Sequence, residues 1–251
     1  MNRFIETPNL PSTRVTTLIA GKRYKALLSD RLAALGISAL WMPDVEKLPP
    51  PVRGHTDLSV LHVGGNRFLA AGELPGSFTA SLAALGARVG QCTLPLGNTY
   101  PDDCRLNAAV FAEHVILNPG ISAFVPPSNM TPVKVKQGYA RCSVCIVDGR
   151  SFITSDAGIC RAAARAGMDV LLISEGNISL EGYNTGFIGG CAFKLSQDRI
   201  AFTGALRHHP DGERIFEFLT QKRVEPIFLS DGPLLDIGGA VLVLEEAPSH
   251  A

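Results

Sequence analysis

Histidine, aspartate and cysteine are the residue types through which this 251-residue sequence could do chemistry. A His-x-Asp element lies at His55-Thr56-Asp57, directly before an apolar segment. An imidazole beside a carboxylate can transfer protons when a substrate lies within hydrogen-bonding reach, and the same pair can equally stabilise a turn. Both interpretations of His55 and Asp57 stay open at the level of the sequence.

Cysteine supplies the strongest nucleophile of the chain, because a thiolate attacks carbon centres readily. A chain of this length needs no disulfides to stabilise its core, so we expect free thiols. Cys142 and Cys145 have Cys-x-x-Cys spacing, but residues three apart on a strand point to opposite faces, which argues against a shared metal and favours Cys145 as a core residue. The six cysteines are Cys92, Cys104, Cys142, Cys145, Cys160 and Cys191.

Two glycine pairs, Gly189-Gly190 and Gly238-Gly239, could serve as phosphate-binding loops. Such loops lie between a strand and the helix that they open. Neither pair opens a helix here, so we expect close backbone packing instead. His208-His209, which precedes Pro210, is predicted to lie in a solvated loop.

Repeated helices and strands must position these residues. Leu32–Gly36 and Leu82–Gly86 share the sequence Leu-Ala-Ala-Leu-Gly, and each ends a helical stretch with a glycine suited to a left-handed C-cap. Ala164–Gly167 ends a third helix, and a fourth covers about residues 212–222. Apolar segments that fit strands follow these helices at Ile37–Met42, Ala87–Leu94, Met168–Ser174 and Val224–Ser230.

Hairpins lie between the helical units. Asp57–Val63, its Gly64-Gly65-Asn66 turn and the following strand match Arg141–Val147 and its Asp148-Gly149 turn almost residue for residue. Three more first strands are predicted at Arg105–Phe111, Ile188–Leu195 and Ile237–Leu244. The third unit is the divergent one, because Ile121–Lys136 is rich in proline and holds no full helix.

Five first strands are visible, but only four return strands follow them. We therefore predict that Val15–Ala20 is the missing strand and pairs with Val241–Leu244, which closes a ring and removes exposed sheet edges. The chain then forms one α/β domain of five repeats. Their approximate bounds are 21–71, 72–119, 120–155, 156–203 and 204–244, with strand 15–20 completing the last.

Three motifs carry a resemblance to a known family. Gln137–Ser143, Gly182–Gly190 and Leu235–Gly239 resemble segments of a bacterial family of unknown function with the guanidine-modifying-enzyme, or pentein, fold. That fold is an α/β propeller of five pseudosymmetric ββαβ units. Arginine and agmatine deiminases, amidinotransferases, dimethylarginine hydrolases and a ribosomal anti-association factor share it, whereas the family itself brings no activity.

The resemblance implies roles for particular residues. Catalytic penteins bind a guanidinium through carboxylates, move protons with histidine and attack with a cysteine of the last unit. The resemblance implies that Asp57 and Asp236 anchor the cation and that His55 acts as the acid and the base. No cysteine follows Cys191, so Cys142 is the substitute nucleophile, ahead of Cys191 and Cys104. Polar residues expected to bind substrate around the central funnel are Asp103, Asn107, Tyr139, Ser143, Tyr183 and Asn184.

The composition limits the classes of binding partner that we expect. The chain has 23 Lys plus Arg and 23 Asp plus Glu, and a formal charge of zero gives no field that attracts nucleic acid. No segment predicts export or membrane insertion, so we expect a cytoplasmic protein without metal or cofactor that binds a small molecule in the funnel and is compatible with a homo-oligomer. Two functions remain: a hydrolase or transferase acting on a guanidine or amidine, and a non-catalytic pentein that binds a protein, ribosome or metabolite.

Overall fold

The computed structural model describes residues 1–248, which form sixteen strands and five α-helices. The helices are α1 (Lys25–Ala34), α2 (Thr56–Ser59), α3 (Gly76–Ala84), α4 (Ala157–Arg165) and α5 (Gly212–Gln221). The strands are β1 (Asn2–Phe4), β2 (Val15–Gly21), β3 (Ser38–Met42), β4 (Val60–Gly64), β5 (Arg67–Ala70), β6 (Arg88–Gln91), β7 (Ala109–Phe111), β8 (His114–Leu117), β9 (Thr131–Lys134), β10 (Cys145–Ile146), β11 (Ser151–Thr154), β12 (Asp169–Leu172), β13 (Ala192–Ser196), β14 (Arg199–Phe202), β15 (Glu225–Phe228) and β16 (Val241–Glu246).

The strands form five small sheets with one recurring pattern. In each sheet an antiparallel pair is followed by a parallel strand, as in β4, β5 and β6. The orders of the other sheets are β7-β8-β9, β10-β11-β12, β13-β14-β15 and β1-β16-β2-β3. The fold is therefore a mixed α/β fold of five repeated units, as the internal repeats predict.

The N-terminal strand pairs with the C-terminal one. Strand β2 is buried along its whole length and runs antiparallel to β16, with Ile19 opposite Val241 and Leu18 opposite Leu242. The predicted pairing is confirmed. The sequence patterns did not indicate β1, which adds to the other side of β16 through Phe4 opposite Leu244.

Helices connect the parallel strands of four units. Helix α1 joins β2 to β3, and α3, α4 and α5 occupy the same place in their units. The expected left-handed glycines follow three of them, with φ values of 69° at Gly36, 96° at Gly86 and 78° at Gly167. The connection from β8 to β9 contains no helix, as the proline-rich sequence predicts.

The first strands begin later than the sequence pattern suggests. Residues 140–143 form turns before β10, and Ile188–Cys191 form a 3-10 helix before β13. Cys142 therefore lies in a turn, and the argument that placed it on a strand opposite Cys145 is wrong. The reason is that backbone groups of these segments bond to neighbouring units, so they are not free to join their own sheets.

Hydrogen bonds link one such segment from each sheet in turn. The amide of Asp57 donates to Gly238 (3.4 Å), Gly239 to Gly190 (2.9 Å), and Gly190 to the carbonyl of Cys142 (3.2 Å). The amide of Cys142 donates to Oδ1 of Asn107 (3.1 Å), and Nδ2 of Asn107 donates to the carbonyl of Asp57 (3.1 Å). This series of hydrogen bonds thus begins and ends at Asp57.

The glycine pairs permit this close approach. A Cβ on Gly189 would lie 2.5 Å from the carbonyl oxygen of Arg141, and a Cβ on Gly190 would lie 1.8 Å from Oδ1 of Asp236. The predicted close packing against backbone is confirmed at Gly189, whereas Gly190 packs against the carboxylate of Asp236. Among residues 1–248, none of the helices combines the length and apolar character needed to cross a lipid bilayer.

Candidate active site

His55 and Asp236 form a buried pair at the start of α2. His55 precedes the helix, and its amide donates to the carbonyl of Val52 (3.0 Å). Its Nδ1 lies 3.8 Å from Oδ1 of Asp236, and both side chains are about 2% exposed or less. Nε2 of His55 is buried and has no partner among the described residues. One imidazole nitrogen therefore faces a carboxylate, and the other is free for a ligand.

The backbone fixes the Asp236 carboxylate. Oδ1 accepts from the amide of Gly238 (2.9 Å), and Oδ2 accepts from the amide of Phe187 (2.8 Å). Gly238 has a φ of 71°, and a Cβ there would lie 2.4 Å from Cβ of His55. Only glycine therefore fits the turn that brings Asp236 to His55.

The Cys142 thiol donates a hydrogen bond to Oδ2 of Asp57 at 2.8 Å. Burial raises the pKa of Cys142 well above its ordinary value, and the nearby charges of Asp57 and Asp236 raise it further. Burial also raises the pKa of Asp57 to about 6, although His55 opposes this shift. Without a bound cation, the thiol is therefore protonated at neutral pH.

Asn107 holds the turn that carries Cys142. Its Oδ1 accepts from the amides of Arg141 (2.7 Å) and Cys142 (3.1 Å), and its Nδ2 donates to Sγ of Cys142 (3.1 Å). Since Nδ2 also donates to the carbonyl of Asp57, both polar atoms are engaged inside the protein. The sequence assigned Asn107 to substrate, but its position makes it a support for the thiol.

A cavity of about 140 Å³ brings several predicted residues together. His55, Tyr139, Cys142, Tyr183 and Asp236 all line it. The rings of Tyr139 and Phe187 lie 5.8 Å apart on one wall. The cavity thus combines a thiol, an imidazole and a carboxylate with aromatic faces, a setting that can hold a small planar cation.

The remaining predicted residues lie outside this cavity. Asp103 sits behind Tyr139 and accepts its hydroxyl at 2.5 Å, and burial followed by this contact raises the pKa of Tyr139. Ser143 is fully buried, and its hydroxyl has no partner among the described residues. Asn184 is exposed and does not line the cavity. Asp57 does not line the cavity, but it accepts a hydrogen bond from the Cys142 thiol, which does.

The other cysteines lie elsewhere, and none of the six is in a disulfide. The thiols of Cys104 and Cys191 contact the carbonyls of Pro101 (3.3 Å) and Phe187 (3.2 Å) and do not line the cavity. Cys145 packs in an apolar cluster between β10 and α5, as expected for a core residue. Cys142 is the cysteine that lines the cavity together with His55 and Asp236.

The loop predicted at His208-His209 is only half solvated. His208 is exposed, but His209 is 4% exposed, and its Nδ1 accepts from the amide of Asp211. The expectation is wrong for His209, because this ring caps a local turn before α5. The second His-x-Asp element of the chain, His209-Pro210-Asp211, therefore stabilises a turn, while His55-Thr56-Asp57 reaches the cavity.

Sequence reasoning missed the apolar walls of the cavity. Val52, Leu58, Leu180 and Phe187 line it and define how much room a ligand has. Apolar residues make up nearly half of the chain, so their types carry no signal that separates a cavity wall from the core. The closeness of Leu180 to Val52 arises only when the units come together.

Comparison with known proteins places the chain among proteins of one fold. A family model described as a family of unknown function, DUF6873, matches residues 19–241. No curated protein matches the chain in sequence.

Two solved structures resemble this one over most of their length. An inosamine-phosphate amidinotransferase from Streptomyces griseus is 10% identical, with 99% of this chain and 98% of that chain covered at a TM-score of 0.54. An agmatine deiminase from C. jejuni is 7% identical, with 89% and 90% covered at a TM-score of 0.53. At these identities the likeness establishes the guanidine-modifying-enzyme fold.

Proposed function

Because this chain belongs to the family of unknown function DUF6873 and has the guanidine-modifying-enzyme fold, we propose that it is a hydrolase or transferase that cleaves a C–N bond of a small guanidine or amidine. We also infer that its five sheets are the blades of a pentein propeller, with the cavity as its central funnel. The circuit of hydrogen bonds from Asp57 back to Asp57 supports this arrangement.

The proposal rests mainly on one contact between side chains. The Cys142 thiol bonds to the Asp57 carboxyl in the wall of a cavity that His55 and Asp236 also line. These residues come from three different units, so local structure does not require their meeting. A nucleophile, a proton carrier and a carboxylate around one small space, with a second carboxylate bonded to the nucleophile, are what guanidine chemistry needs.

The carboxylates account for binding of a cation. Asp57 and Asp236 are buried, and a buried carboxylate that lacks a positive partner is costly. A planar cation in the cavity supplies that partner, and its charge offsets the effect of the carboxylates on the thiol. The ligand therefore lowers the pKa of Cys142 and prepares the nucleophile that it will meet.

The reaction then follows from the positions of the side chains. His55 takes the proton of the Cys142 thiol as the sulfur attacks the central carbon, and a C–S bond forms. The C–N bond breaks as the leaving nitrogen takes a proton from His55, which leaves an S-amidino intermediate. Water or an acceptor amine attacks this carbon, gives its proton to His55 and releases the thiolate. Nδ1 of the imidazole faces Oδ1 of Asp236 at 3.8 Å, so Nε2 is the atom left to exchange protons with the substrate.

Alkylation of the purified protein with chloroacetamidine tests the proposal. The cationic amidine should label Cys142 faster than chloroacetamide, its uncharged analogue, because the carboxylates concentrate the cation beside the thiol. Mass spectrometry of tryptic peptides measures both rates. Equal rates for the two reagents at Cys142, or amidine labelling at other cysteines only, would contradict the proposal.

Three variants make this experiment more specific. Cys142→Ser should abolish the selective label. Cys160→Ser is the matched control, because Cys160 is the partly exposed thiol and accounts for non-selective reaction. Asp236→Asn should lower the ratio of the amidine rate to the chloroacetamide rate, because only the cation is attracted by the carboxylate. The chloroacetamide rate itself should not fall, since the loss of a nearby negative charge lowers the pKa of the thiol.

Binding without turnover is the second candidate. The Cys142 side chain is only 2% exposed, and its raised pKa keeps it protonated, which favours a ligand-binding role over a nucleophilic one. In that case a guanidine should raise the melting temperature of the protein but leave no covalent adduct and no changed product. Incubation with a guanidine followed by mass analysis of protein and ligand separates the two candidates.

A further inference from the structure

A groove of about 660 Å³ lies directly beside the cavity. Leu180 and Asp236 line both spaces, so a ligand in the cavity can extend into the groove. His55, whose buried Nε2 has no partner among residues 1–248, lines the cavity but not the groove. The two spaces together suit a molecule with a compact head and a longer tail.

The walls of the groove come from two distant parts of the chain. Arg23 and Asp44 line one side, and Glu181 and Gly182 line the other. Gly182 has a φ of 78°, and a Cβ there would lie 2.7 Å from Cγ of Pro51. The two walls therefore touch at Gly182, which fixes Glu181 at the groove.

Arg23 is not available to a ligand. Its Nε donates to both oxygens of Asp44 at 3.2 Å, and its Nη2 also donates to Asp44. Its Nη1 donates to the carbonyls of Pro50 (2.9 Å) and Pro51 (3.0 Å). The charge of the Arg23 guanidinium is thus neutralised by Asp44, and two backbone carbonyls hold the group in place.

The side chain of Glu181, in contrast, is available to a ligand. It is exposed, and among residues 1–248 it makes no ion pair or side-chain hydrogen bond. Within the described part of the chain, the groove is lined by three carboxylates, those of Asp44, Glu181 and Asp236, and by one guanidinium that Asp44 already pairs. The uncompensated charge at the groove is negative.

We propose that this groove binds the tail of the substrate and that the tail ends in a positively charged amine paired with Glu181. The inference rests on the proposed function, because the head of the same molecule would be the guanidine or amidine in the cavity. An anionic tail would meet Glu181 and find Arg23 occupied, so the groove discriminates against a carboxylate.

Three ligands of equal chain length test this inference: an alkylguanidine, an ω-aminoalkylguanidine and an ω-guanidinoalkanoate. Each is titrated against wild-type protein, and protection of Cys142 from iodoacetamide gives its Kd. We expect the aminoalkylguanidine to bind roughly threefold more tightly than the neutral ligand, as for an exposed ion pair, and the carboxylate to bind most weakly.

Variants assign the preference to the groove. Glu181→Gln should abolish the advantage of the amine, whereas Glu217→Gln, an exposed position on α5, should leave it intact. Asp44→Asn should free Arg23 and improve binding of the carboxylate roughly threefold. Equal affinities for all three ligands, or tightest binding of the carboxylate, would overturn this inference alone. Protection by none of them would remove the proposed function and this inference with it.

Discussion

The thiol of Cys142 donates a 2.8 Å hydrogen bond to Oδ2 of Asp57, a residue 85 positions earlier in the chain. Burial opposes ionisation of both groups, and the carboxylate of Asp57 raises the pKa of Cys142 further, whereas the hydrogen bond from the thiol stabilises the carboxylate of Asp57. At neutral pH the thiol therefore keeps its proton while the site is empty and can release it when a cation enters. Four predictions follow from this pair and from the groups that support it.

Asp57→Asn should lower the pKa of Cys142, because the substitution removes a negative charge beside the thiol. Reaction of Cys142 with neutral iodoacetamide should then extend to lower pH than in the wild type. A pH series of labelling rates, read by mass spectrometry, measures the shift. Asp30→Asn on the exposed face of α1 is the control and should leave the profile unchanged. A profile that moves to higher pH in Asp57→Asn would contradict the assignment.

The same substitution should change how stability depends on pH. The folded-state pKa of Asp57 is about 6, above the value of about 3.9 in an unfolded chain. Its contribution to stability is therefore fully present below about pH 4 and is lost as the pH rises through about 6. Relative to the wild type, Asp57→Asn should gain about 3 kcal/mol at pH 7 and little at pH 4.

Urea unfolding at both values measures this difference. The comparison with Asp57→Asn also cancels the opposite dependence of His62, whose pKa burial lowers to about 4. A stability difference between the two proteins that does not change with pH would refute the raised pKa of Asp57.

Asn107→Ala should destabilise the protein by about 2 to 3 kcal/mol, because it leaves the buried amides of Arg141 and Cys142 without an acceptor. Selective labelling of Cys142 should also fall, since the turn that positions the thiol loses its support. Asn66→Ala is the control, because Asn66 makes one exposed bond to the carbonyl of Gly86. Equal losses of stability in the two variants would show that Asn107 has no special role.

Gly190→Ala should be among the most destabilising single-methyl changes in the chain. The added Cβ would lie 1.8 Å from Oδ1 of Asp236, so the carboxylate or the backbone must move. We expect a loss of at least about 3 kcal/mol, in the range of severe overpacking.

Gly76→Ala is the matched change at an open position. No atom lies within 4 Å of its added Cβ, and Gly76 begins α3, so alanine should stabilise the protein by up to about 1 kcal/mol. Thermal unfolding compares the two variants. Wild-type stability in Gly190→Ala would mean that the turn before β13 is looser than its contacts imply.

Local sequence determined most of the architecture. Gly36 and Gly86 end helices whose apolar stripes recur at helical spacing, and each is followed by a parallel strand. These features depend on residues close to one another in the chain, so periodicity and glycine positions are enough to predict them. The pairing of β2 with β16 was predictable for a different reason, since counting repeats left one strand without a partner.

The starts of the first strands were not predictable from the same patterns. Residues such as Ile188 and Cys191 are apolar and fit a strand by composition, yet their backbone turns to meet other units. Whether a backbone amide bonds within its sheet or across to a neighbouring segment depends on which segments come together, and local residue preferences do not contain that information.

For the candidate site, the sequence by itself determined the residue types: a His-x-Asp element, a cysteine at position 142 and an aspartate beside a glycine pair. Only the tertiary structure decided that Cys142 meets Asp57 and that Asp236 meets His55. It also placed Asn107 behind the thiol and left Asn184 at the surface. The physical reason is that these contacts join separate units, and their distances are set by the packing of the units against one another, whereas the sequence pattern specifies only the interior of each unit.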